Sequence, residues 1–269
     1  MRTQSQPSFW QKVAPKIRQT LGLGVLWVVG SWCFGEEGVS VPENAPGPSP
    51  ATGSQWIAAA SQPTTEKTLP TQTPLSEAKN LFDGRTLTGW KVLDELAFKT
   101  HGKVEVRDGQ ILLYRGEPFT GVQWTGQFPR SDYEVLIEAR RVDGDDFFCG
   151  LVFPVGQADC SLIVGGWGGS TVGLSNIDGE PAAENETAKV YDFEKGRWYS
   201  IRLRVTDQKI LVWIDQEKLV DFKYPDRKLS IRWDQEPMRP FGICTWQTTG
   251  AVRNVQLRRL GKDEPPAER

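Results

Sequence analysis

The chain is poor in the side chains that most often build metal and nucleophile sites. It contains one histidine, His101, and four cysteines, Cys33, Cys149, Cys160 and Cys244, in 269 residues, and no Cys-x-x-Cys pair occurs. Zinc sites and Cys/His nucleophile pairs require these side chains in close combinations, so both classes are poorly supported. If Cys33 is removed with a leader, three cysteines remain, and these allow at most one internal disulfide.

The chain also lacks an excess of positive charge. Its 32 basic and 34 acidic residues give a net charge of −2. Basic tracts interleaved with aromatic residues are typical of nucleic-acid-binding surfaces, and the sequence contains none. Nucleic acid is therefore not an expected partner.

The N-terminal region has the pattern of an export signal. Lys12, Lys16 and Arg18 precede an apolar run over residues 21–34, which is too short to span a bilayer comfortably as a mature helix. The pattern predicts a signal peptide over 1–35, no stable membrane span after its removal, and a periplasmic or extracellular location. An uncleaved anchor and a buried helix stay open as alternatives.

The composition divides the rest of the chain. Residues 36–76 hold seven prolines among many Ser, Thr, Ala and Gln residues, which predicts a disordered spacer because little apolar surface is available for burial. The tail over 263–269 has the same character. Residues 77–262 are left as one domain of ordinary size.

That domain has a β-type pattern and no sustained helical repeat. An Asp108-Gly109 turn joins two short apolar-alternating segments, as in a hairpin. In the next strand Tyr133, Val135 and Ile137 share one face. Further strands are predicted over 147–153, 160–164, 199–205, 210–214, 219–222, 229–233, 241–246 and 252–260. Many short strands at this spacing predict an all-β sandwich or jelly roll.

Three segments carry a resemblance to a known family. Asn80 to Trp90 places Leu81-Phe82 and Trp90 on either side of an Asp-Gly turn, residues 197–215 form a Trp-Tyr hairpin, and residues 253–258 form a closing strand. Together they resemble the 3-keto-disaccharide hydrolase family. The resemblance implies a concanavalin-A-like, laminin-G-like jelly-roll sandwich of two antiparallel sheets.

The resemblance also implies a chemistry and a carbohydrate partner. The carbonyl of a 3-keto sugar acidifies the C2 proton, so a base can start an elimination across C1 and C2. One base, one acid and a group that polarises the carbonyl would be enough. The implied activity is that of a hydrolase or lyase acting on 3-keto-glucosides or 3-keto-disaccharides. The alternative is a non-catalytic, lectin-like carbohydrate-binding module on the same sandwich.

Strand alternation supplies the candidate catalytic residues. Glu134 and Glu138 should project away from the core, as should Arg202 and Arg204 on a later strand. If the two strands are neighbours, the four side chains form one polar face. That face is either a solvated surface with cross-strand ion pairs, or a sugar-binding face on which a glutamate acts as acid or base with an arginine assisting.

Two tryptophans are the candidate substrate-binding residues. Where the family has a central strand of Tyr-Glu-Val-Gln type, residues 160–169 are apolar and then rich in glycine. We expect this glycine segment to present Trp167, with Trp246 joining it at the rim of the sandwich. Stacking on a sugar and simple packing over the sandwich edge are both open for Trp167.

Acidic residues elsewhere in the domain give weaker indications of a ligand site. Asp178, Glu184 and Glu186 could together bind a divalent cation such as Ca²⁺, or form a solvated acidic loop. Asp145-Asp146 is expected to make a turn before the strand that follows, with a ligand role as the alternative.

Overall fold

The structure, a computed structural model, describes residues 78–261. The predicted signal over 1–35, the spacer over 36–76 and the tail over 263–269 lie outside the described residues. Within the described part, no helix is long and apolar enough to cross a membrane.

Residues 78–261 form two antiparallel sheets packed face to face, which confirms the predicted jelly-roll sandwich. The strands are β1 (Lys79–Asn80), β2 (Trp90–Val92), β3 (Val104–Arg107), β4 (Gln110–Leu113), β5 (Phe119–Trp124), β6 (Tyr133–Asp143), β7 (Cys149–Val155), β8 (Ala158–Gly166), β9 (Thr171–Ser175), β10 (Lys189–Val190), β11 (Tyr199–Val205), β12 (Lys209–Ile214), β13 (Glu217–Lys223), β14 (Phe241–Trp246) and β15 (Thr249–Arg259). Two short 3-10 helices cover Leu96–Phe98 and Trp233–Met238.

The eight-stranded sheet has the order β13-β12-β11-β6-β15-β4-β3, with β1 also pairing with β15. The seven-stranded sheet has the order β10-β9-β8-β7-β14-β5-β2. Strands β6 and β11 are neighbours, as the polar-face hypothesis required, and Arg204 lies directly opposite Glu134.

The first predicted segment anchors the domain. Leu81, Phe82 and Trp90 are buried, and the indole N–H of Trp90 donates to the Leu81 carbonyl over 2.8 Å. The Asp83 carboxylate accepts from the Arg85 and Thr86 amides and so closes the turn between these anchors.

The core lies between the sheets and follows strand alternation. Side chains at every second position of β6, β7, β8, β11, β12 and β14 point inward, where large apolar residues pack without access to solvent. On β6 the inward set is Tyr133, Val135, Ile137 and Ala139, as predicted. The outward residues of β6 and β11 therefore lie on the far side of the eight-stranded sheet.

The predicted strand over 229–233 was wrong. Leu229 makes only an isolated bridge with Ile177, and Trp233 begins the second 3-10 helix. Pro237 and Pro240 follow closely and cannot donate to a ladder, which disfavours a paired strand here. The segment instead packs across the outer face of the seven-stranded sheet, where Ile231 and Met238 are buried.

Glycines on that outer face let the covering segments approach closely. A Cβ atom at Gly121 would lie 2.7 Å from Phe98, and one at Gly242 would lie 2.7 Å from Met238. The middle of this face is consequently filled by the chain's own side chains. The accessible polar and aromatic groups lie toward the ends of the strands.

Candidate functional site

The predicted catalytic residues lie together on the outer face of the eight-stranded sheet. We call this the arginine face; it carries Glu134, Glu138, Arg202, Arg204, Arg253 and Arg258. Glu134 is 4% exposed and lies between two guanidinium groups, with Arg204 Nε at 2.8 Å and Arg258 Nη2 at 3.2 Å. The three residues sit directly opposite one another on β11, β6 and β15.

Glu138 is more accessible than Glu134. Its side chain is 28% exposed and accepts from Arg253 Nε over 2.6 Å and from Asn254 Nδ2 over 2.9 Å. An irregularity in β15 between Arg253 and Gln256 brings both donors to the same carboxylate.

Three arginines on this side of the sheet, Arg140, Arg202 and Arg253, lie against indoles. The Arg202 guanidinium is 3.9 Å from the centre of the Trp213 ring, and burial lowers its pKa. Arg140 and Arg253 lie 4.7 Å and 4.2 Å from the centre of the Trp198 ring. Ion pairs and cation–π contacts thus occupy much of the arginine face.

The predicted substrate-binding residues lie on the other sheet. Trp167 is in the β8–β9 hairpin and Trp246 ends β14, and both are half-buried against the apolar cluster on the outer face of the seven-stranded sheet. The structure therefore brings the two tryptophans to one region. It separates them from the four predicted catalytic residues by the sandwich core.

Asp146 connects the two tryptophans. Its amide donates to Thr248 Oγ1 over 3.0 Å, and its carboxylate accepts from the Phe147 amide over 2.7 Å and from the backbone amide of Trp167. The Trp246 amide donates to the Phe147 carbonyl over 3.1 Å. Three loops thus meet at Asp146, Trp167 and Trp246, which we call the rim cluster.

The carboxyl group of the rim cluster is poised near neutrality. Burial raises the pKa of Asp146 to about 6, and the two backbone amides lower it only in part. A carboxyl with this pKa exchanges a proton easily near pH 6 to 7, which suits an acid or base.

Arg141 fixes the loop that carries Trp167. Its Nη2 atom donates to the Gly165 and Gly169 carbonyls over 3.2 Å and 2.6 Å. Trp167 itself has a left-handed backbone with φ of 48°, which non-glycine residues adopt rarely. These hydrogen bonds therefore hold the backbone of the β8–β9 hairpin on both sides of Trp167.

A cation lies near Trp246 of the rim cluster. The Arg232 guanidinium is 5.7 Å from the centre of the Trp246 ring and donates to both carboxylate oxygens of Asp234, at 3.0 Å and 2.5 Å. Asp234 is buried, so this pair orients Arg232 beside Trp246.

Comparison with known proteins identifies the family. A profile of the family described as "3-keto-alpha-glucoside-1,2-lyase-like domain" matches residues 77–258, which is more than half of the chain. The chain belongs to this family. The resemblance read from the three sequence segments is confirmed. No curated protein matches.

Several solved structures are similar to this chain at low identity. A candidate glycosyl hydrolase from Parabacteroides distasonis is 15% identical, with 68% of this chain and 94% of that chain covered and a TM-score of 0.42. The carbohydrate-binding module CBM66 from Bacillus subtilis is 14% identical, with coverage of 63% and 95% and a TM-score of 0.39. The carbohydrate recognition domain of Emp46p is 11% identical, with coverage of 68% and 96% and a TM-score of 0.46.

Sequence reasoning did not assign two residues in or beside the rim cluster of this 3-keto-α-glucoside-1,2-lyase-like domain. Asp146 was expected to form a turn, with a ligand role as the alternative, and Arg232 was placed in a strand. A signal for Asp146 was present, because an aspartate directly before an apolar strand loses hydration as that strand is buried. No local pattern signals Arg232, which reaches Trp246 only through the tertiary fold.

The acidic loop of the domain is engaged by an arginine. Asp178 and Glu186 both accept from Arg227, at 2.6 Å and 2.5 Å. Among residues 78–261, no three His, Cys, Asp or Glu side chains are grouped as a metal site would require.

The cysteines within the described residues are buried free thiols. Burial raises the pKa of both Cys149 and Cys160 to about 12 and also raises that of Cys244. Cys160 lies opposite Phe153 across the β7–β8 hairpin. Thiols this poorly ionised do not act as nucleophiles near neutral pH.

Proposed function

We propose that this domain binds a 3-keto-α-glucoside at the rim cluster and catalyses elimination across C1 and C2 of the sugar. The observation that carries the proposal is a carboxyl group with a pKa of about 6, in a loop that is hydrogen-bonded to the backbones of two half-buried tryptophans, Trp167 and Trp246. Family membership supplies the substrate class. The indoles offer flat apolar surfaces for the C–H face of a sugar ring.

Asp146 is proposed as the proton-transfer group. In its ionised form it removes the C2 proton, and the electron pair of that bond forms the C2–C3 double bond of an enolate while charge moves to the C3 oxygen. Collapse of the enolate forms the C1–C2 double bond and breaks the bond from C1 to the leaving oxygen. The protonated carboxyl returns its proton to that oxygen, so the step is balanced without an oxidant.

Arg232 is proposed to stabilise the negative charge that develops on the C3 oxygen of the enolate. Its guanidinium is fixed by Asp234 and lies 5.7 Å from the centre of the Trp246 ring. A cation near the C3 oxygen stabilises the enolate more than the ketone, and this difference lowers the barrier.

The experiment follows turnover of methyl 3-keto-α-glucoside by the wild type and by Asp146→Asn. We expect Asp146→Asn to lower kcat by roughly 100-fold or more, as for loss of a general base or acid. Wild-type kcat/KM should rise with pH through an apparent pKa near 6, because the base must be ionised. Unchanged turnover by Asp146→Asn would refute the proposed role of Asp146.

An alternative places the proton transfer at Glu138 on the arginine face, with Glu134, Arg202 and Arg204 assisting. Partial exposure of the Glu138 side chain supports this alternative, since a ligand can reach it. Glu138→Gln should then abolish turnover while Asp146→Asn retains it.

A second candidate function is carbohydrate binding without catalysis. The Asp146 carboxylate accepts hydrogen bonds from the backbone amides of Phe147 and Trp167. These bonds favour the second function, because an aspartate that only holds the loop in place would make them too. Retained glycan binding by the wild type with no turnover of any 3-keto-glucoside would establish this function.

A further inference from the structure

The outer face of the eight-stranded sheet is accessible at its centre. Both 3-10 helices pack on the other sheet, over Gly121 and Gly242. Pairing places Arg202 on β11 directly opposite Leu136 on β6, so outward side chains of these strands and of β15 form one continuous surface. Several side chains of this surface are partly exposed, namely Leu136, Glu138, Ser200, Arg202, Arg253 and Gln256.

This surface carries more positive than negative charge. The arginine face has four arginines and two glutamates, and Arg140 adds a fifth arginine on the same side of the sheet. The excess is three positive charges, although the whole chain has a net charge of −2. Asp215 and Asp221, at the edge of the sheet, pair with basic residues of their own. They therefore leave the excess on the arginine face in place.

Arg202 carries an unpaired charge in the middle of this surface. Within residues 78–261, no carboxylate lies at ion-pair distance from its guanidinium, and the Glu134 carboxylate is bound to Arg204 and Arg258. Burial lowers the pKa of Arg202. The charge of Glu134 raises this pKa, and the charges of two arginines lower it again. These surroundings favour the binding of a further negative group.

Trp213 holds the Arg202 guanidinium in position. The guanidinium lies 3.9 Å from the centre of the indole ring, and Trp213 itself has no exposed surface. The indole covers one face of the guanidinium, while N–H groups at its edge stay available to a ligand. A guanidinium that is fixed in this way loses little freedom when it binds an anion.

A pocket adjoins Arg202 on the same side of the sheet. It has a volume of about 500 Å³ and is lined by Arg197, Ser200, Asp215 and Gln216. Ser200 lies two residues before Arg202 on β11, so both side chains project from the same face. The volume is in the range of small-ligand sites, and the lining groups can donate to and accept from hydroxyl groups.

The composition of the surface distinguishes between classes of anionic ligand. Single-stranded nucleic acid needs rings that are free for base stacking, but Trp213 is fully buried and Trp198 lies against two guanidinium groups. The partly exposed side chains include one apolar residue, Leu136, which offers little to the side chains of an acidic peptide. The amides of Gln216 and Gln256 instead suit sugar hydroxyl groups, and a guanidinium binds a planar carboxylate through two parallel N–H bonds.

We propose that the arginine face and the adjoining pocket bind a polysaccharide of uronic acids. Arg202 binds the carboxylate of one sugar, and the pocket binds the hydroxyl groups of the next sugar. The site lies on the other side of the sandwich core from the rim cluster, and the inference does not rest on the catalysis proposed for Asp146. It gives the domain a surface that holds it on an acidic polysaccharide.

The test is calorimetric titration of the full chain with tetragalacturonate at pH 7. We expect Arg202→Gln to raise Kd roughly tenfold, as for loss of a charge-assisted hydrogen bond. Arg202→Lys should have an intermediate effect because it keeps the charge and loses the fork of N–H groups. Maltotetraose, a neutral sugar with the same number of rings, should bind more weakly, and Arg202→Gln should leave its Kd unchanged.

Two further variants change the net charge by the same amount as Arg202→Gln. Ser200→Asp places a negative charge in the lining of the pocket and keeps the contact between Arg202 and Trp213, and it should also raise Kd for tetragalacturonate roughly tenfold. Lys189→Gln is the matched control, because Lys189 is exposed on β10 of the other sheet. It should leave Kd unchanged.

The outcomes decide both the site and the ligand class. The proposal is overturned if the wild type does not bind tetragalacturonate, or if Lys189→Gln weakens binding as much as the variants of the arginine face do. Tighter binding of a heparin tetrasaccharide or of a short single-stranded DNA than of tetragalacturonate would overturn the assignment to uronic acids. Urea denaturation shows whether each variant is folded. If Arg202→Gln does not fold, Ser200→Asp decides, and unchanged binding by Ser200→Asp overturns the proposal.

Discussion

Glu134 and Glu138 lie four residues apart on the same face of β6, but their surroundings differ. Glu134 is nearly inaccessible and is held by Arg204 and Arg258, whereas Glu138 is partly exposed beside Arg253. When a buried carboxylate is neutralised, its cationic partners are left without a counter-charge. When an exposed carboxylate is neutralised, water can solvate its cationic partners instead. The two residues should therefore respond differently to the same substitution.

We expect Glu134→Gln to lower the free energy of unfolding by about 3 kcal/mol and Glu138→Gln to lower it by less than about 1 kcal/mol. Urea denaturation at pH 7 measures both values. Turnover per folded molecule should stay unchanged in Glu134→Gln if this residue is structural. A stable Glu134→Gln protein without activity would instead favour the catalytic role predicted from the sequence.

Asp146 gives the stability of the domain a pH dependence of defined sign. Its pKa is about 6 in the folded state against 3.8 for the free side chain, so between these values the folded protein holds a proton that the unfolded chain has released. The contribution of Asp146 to the free energy of unfolding is therefore fully present below about pH 4 and is lost as the pH rises through about 6. Two pKa units correspond to at most about 3 kcal/mol, and partial exposure reduces this value.

Asp146→Asn isolates this contribution because asparagine is neutral and keeps an oxygen acceptor for the Phe147 amide. From pH 4 to 7, we expect the stability of the wild type to fall by about 2 kcal/mol relative to the variant, with no further change at higher pH. Urea denaturation at a series of pH values measures the difference. A difference that does not vary with pH would mean that the carboxyl has an ordinary pKa.

At the scale of elements, the two sheets use their outer faces in different ways. On the eight-stranded sheet, long side chains such as Arg202 lie flat over indoles and cover the strands. On the seven-stranded sheet, glycines such as Gly121 and Gly242 allow both 3-10 helices to pack directly on the backbone. Hydrogen bonds between the loops that end these strands bring Asp146, Trp167 and Trp246 together.

At the scale of the whole molecule, alternation predicted the sandwich because it reports directly which side chains face the core. Val135 and Ile137 could be placed in this way, whereas the pairing of β6 with β11 was only a condition of the polar-face hypothesis and is a finding of the structure. The segment over 229–233 has the same apolar character, but it packs on an outer face that glycines of distant strands make accessible. Local pattern cannot distinguish these two kinds of burial.

The candidate site was predictable only in part for a related reason. Trp167 and Trp246 follow from their flanking glycines and strand end, so their positions could be expected from the sequence. The raised pKa of Asp146 depends on burial by residues from three loops, and the position of Arg232 depends on a segment that crosses the sheet. Both depend on contacts between residues that are far apart in the chain.

The domain boundaries give the last prediction. Since both sheets close within residues 78–261, we expect a fragment of residues 77–262 to unfold with the same free energy as a chain that begins at residue 36, within about 0.5 kcal/mol. Both proteins should also bind an unoxidised α-linked disaccharide of glucose with the same affinity. Urea denaturation and calorimetric titration of the two proteins measure this. If loss of residues 36–76 lowers the stability by more than about 1 kcal/mol, that segment packs on the sandwich and is not the disordered spacer that its composition predicts.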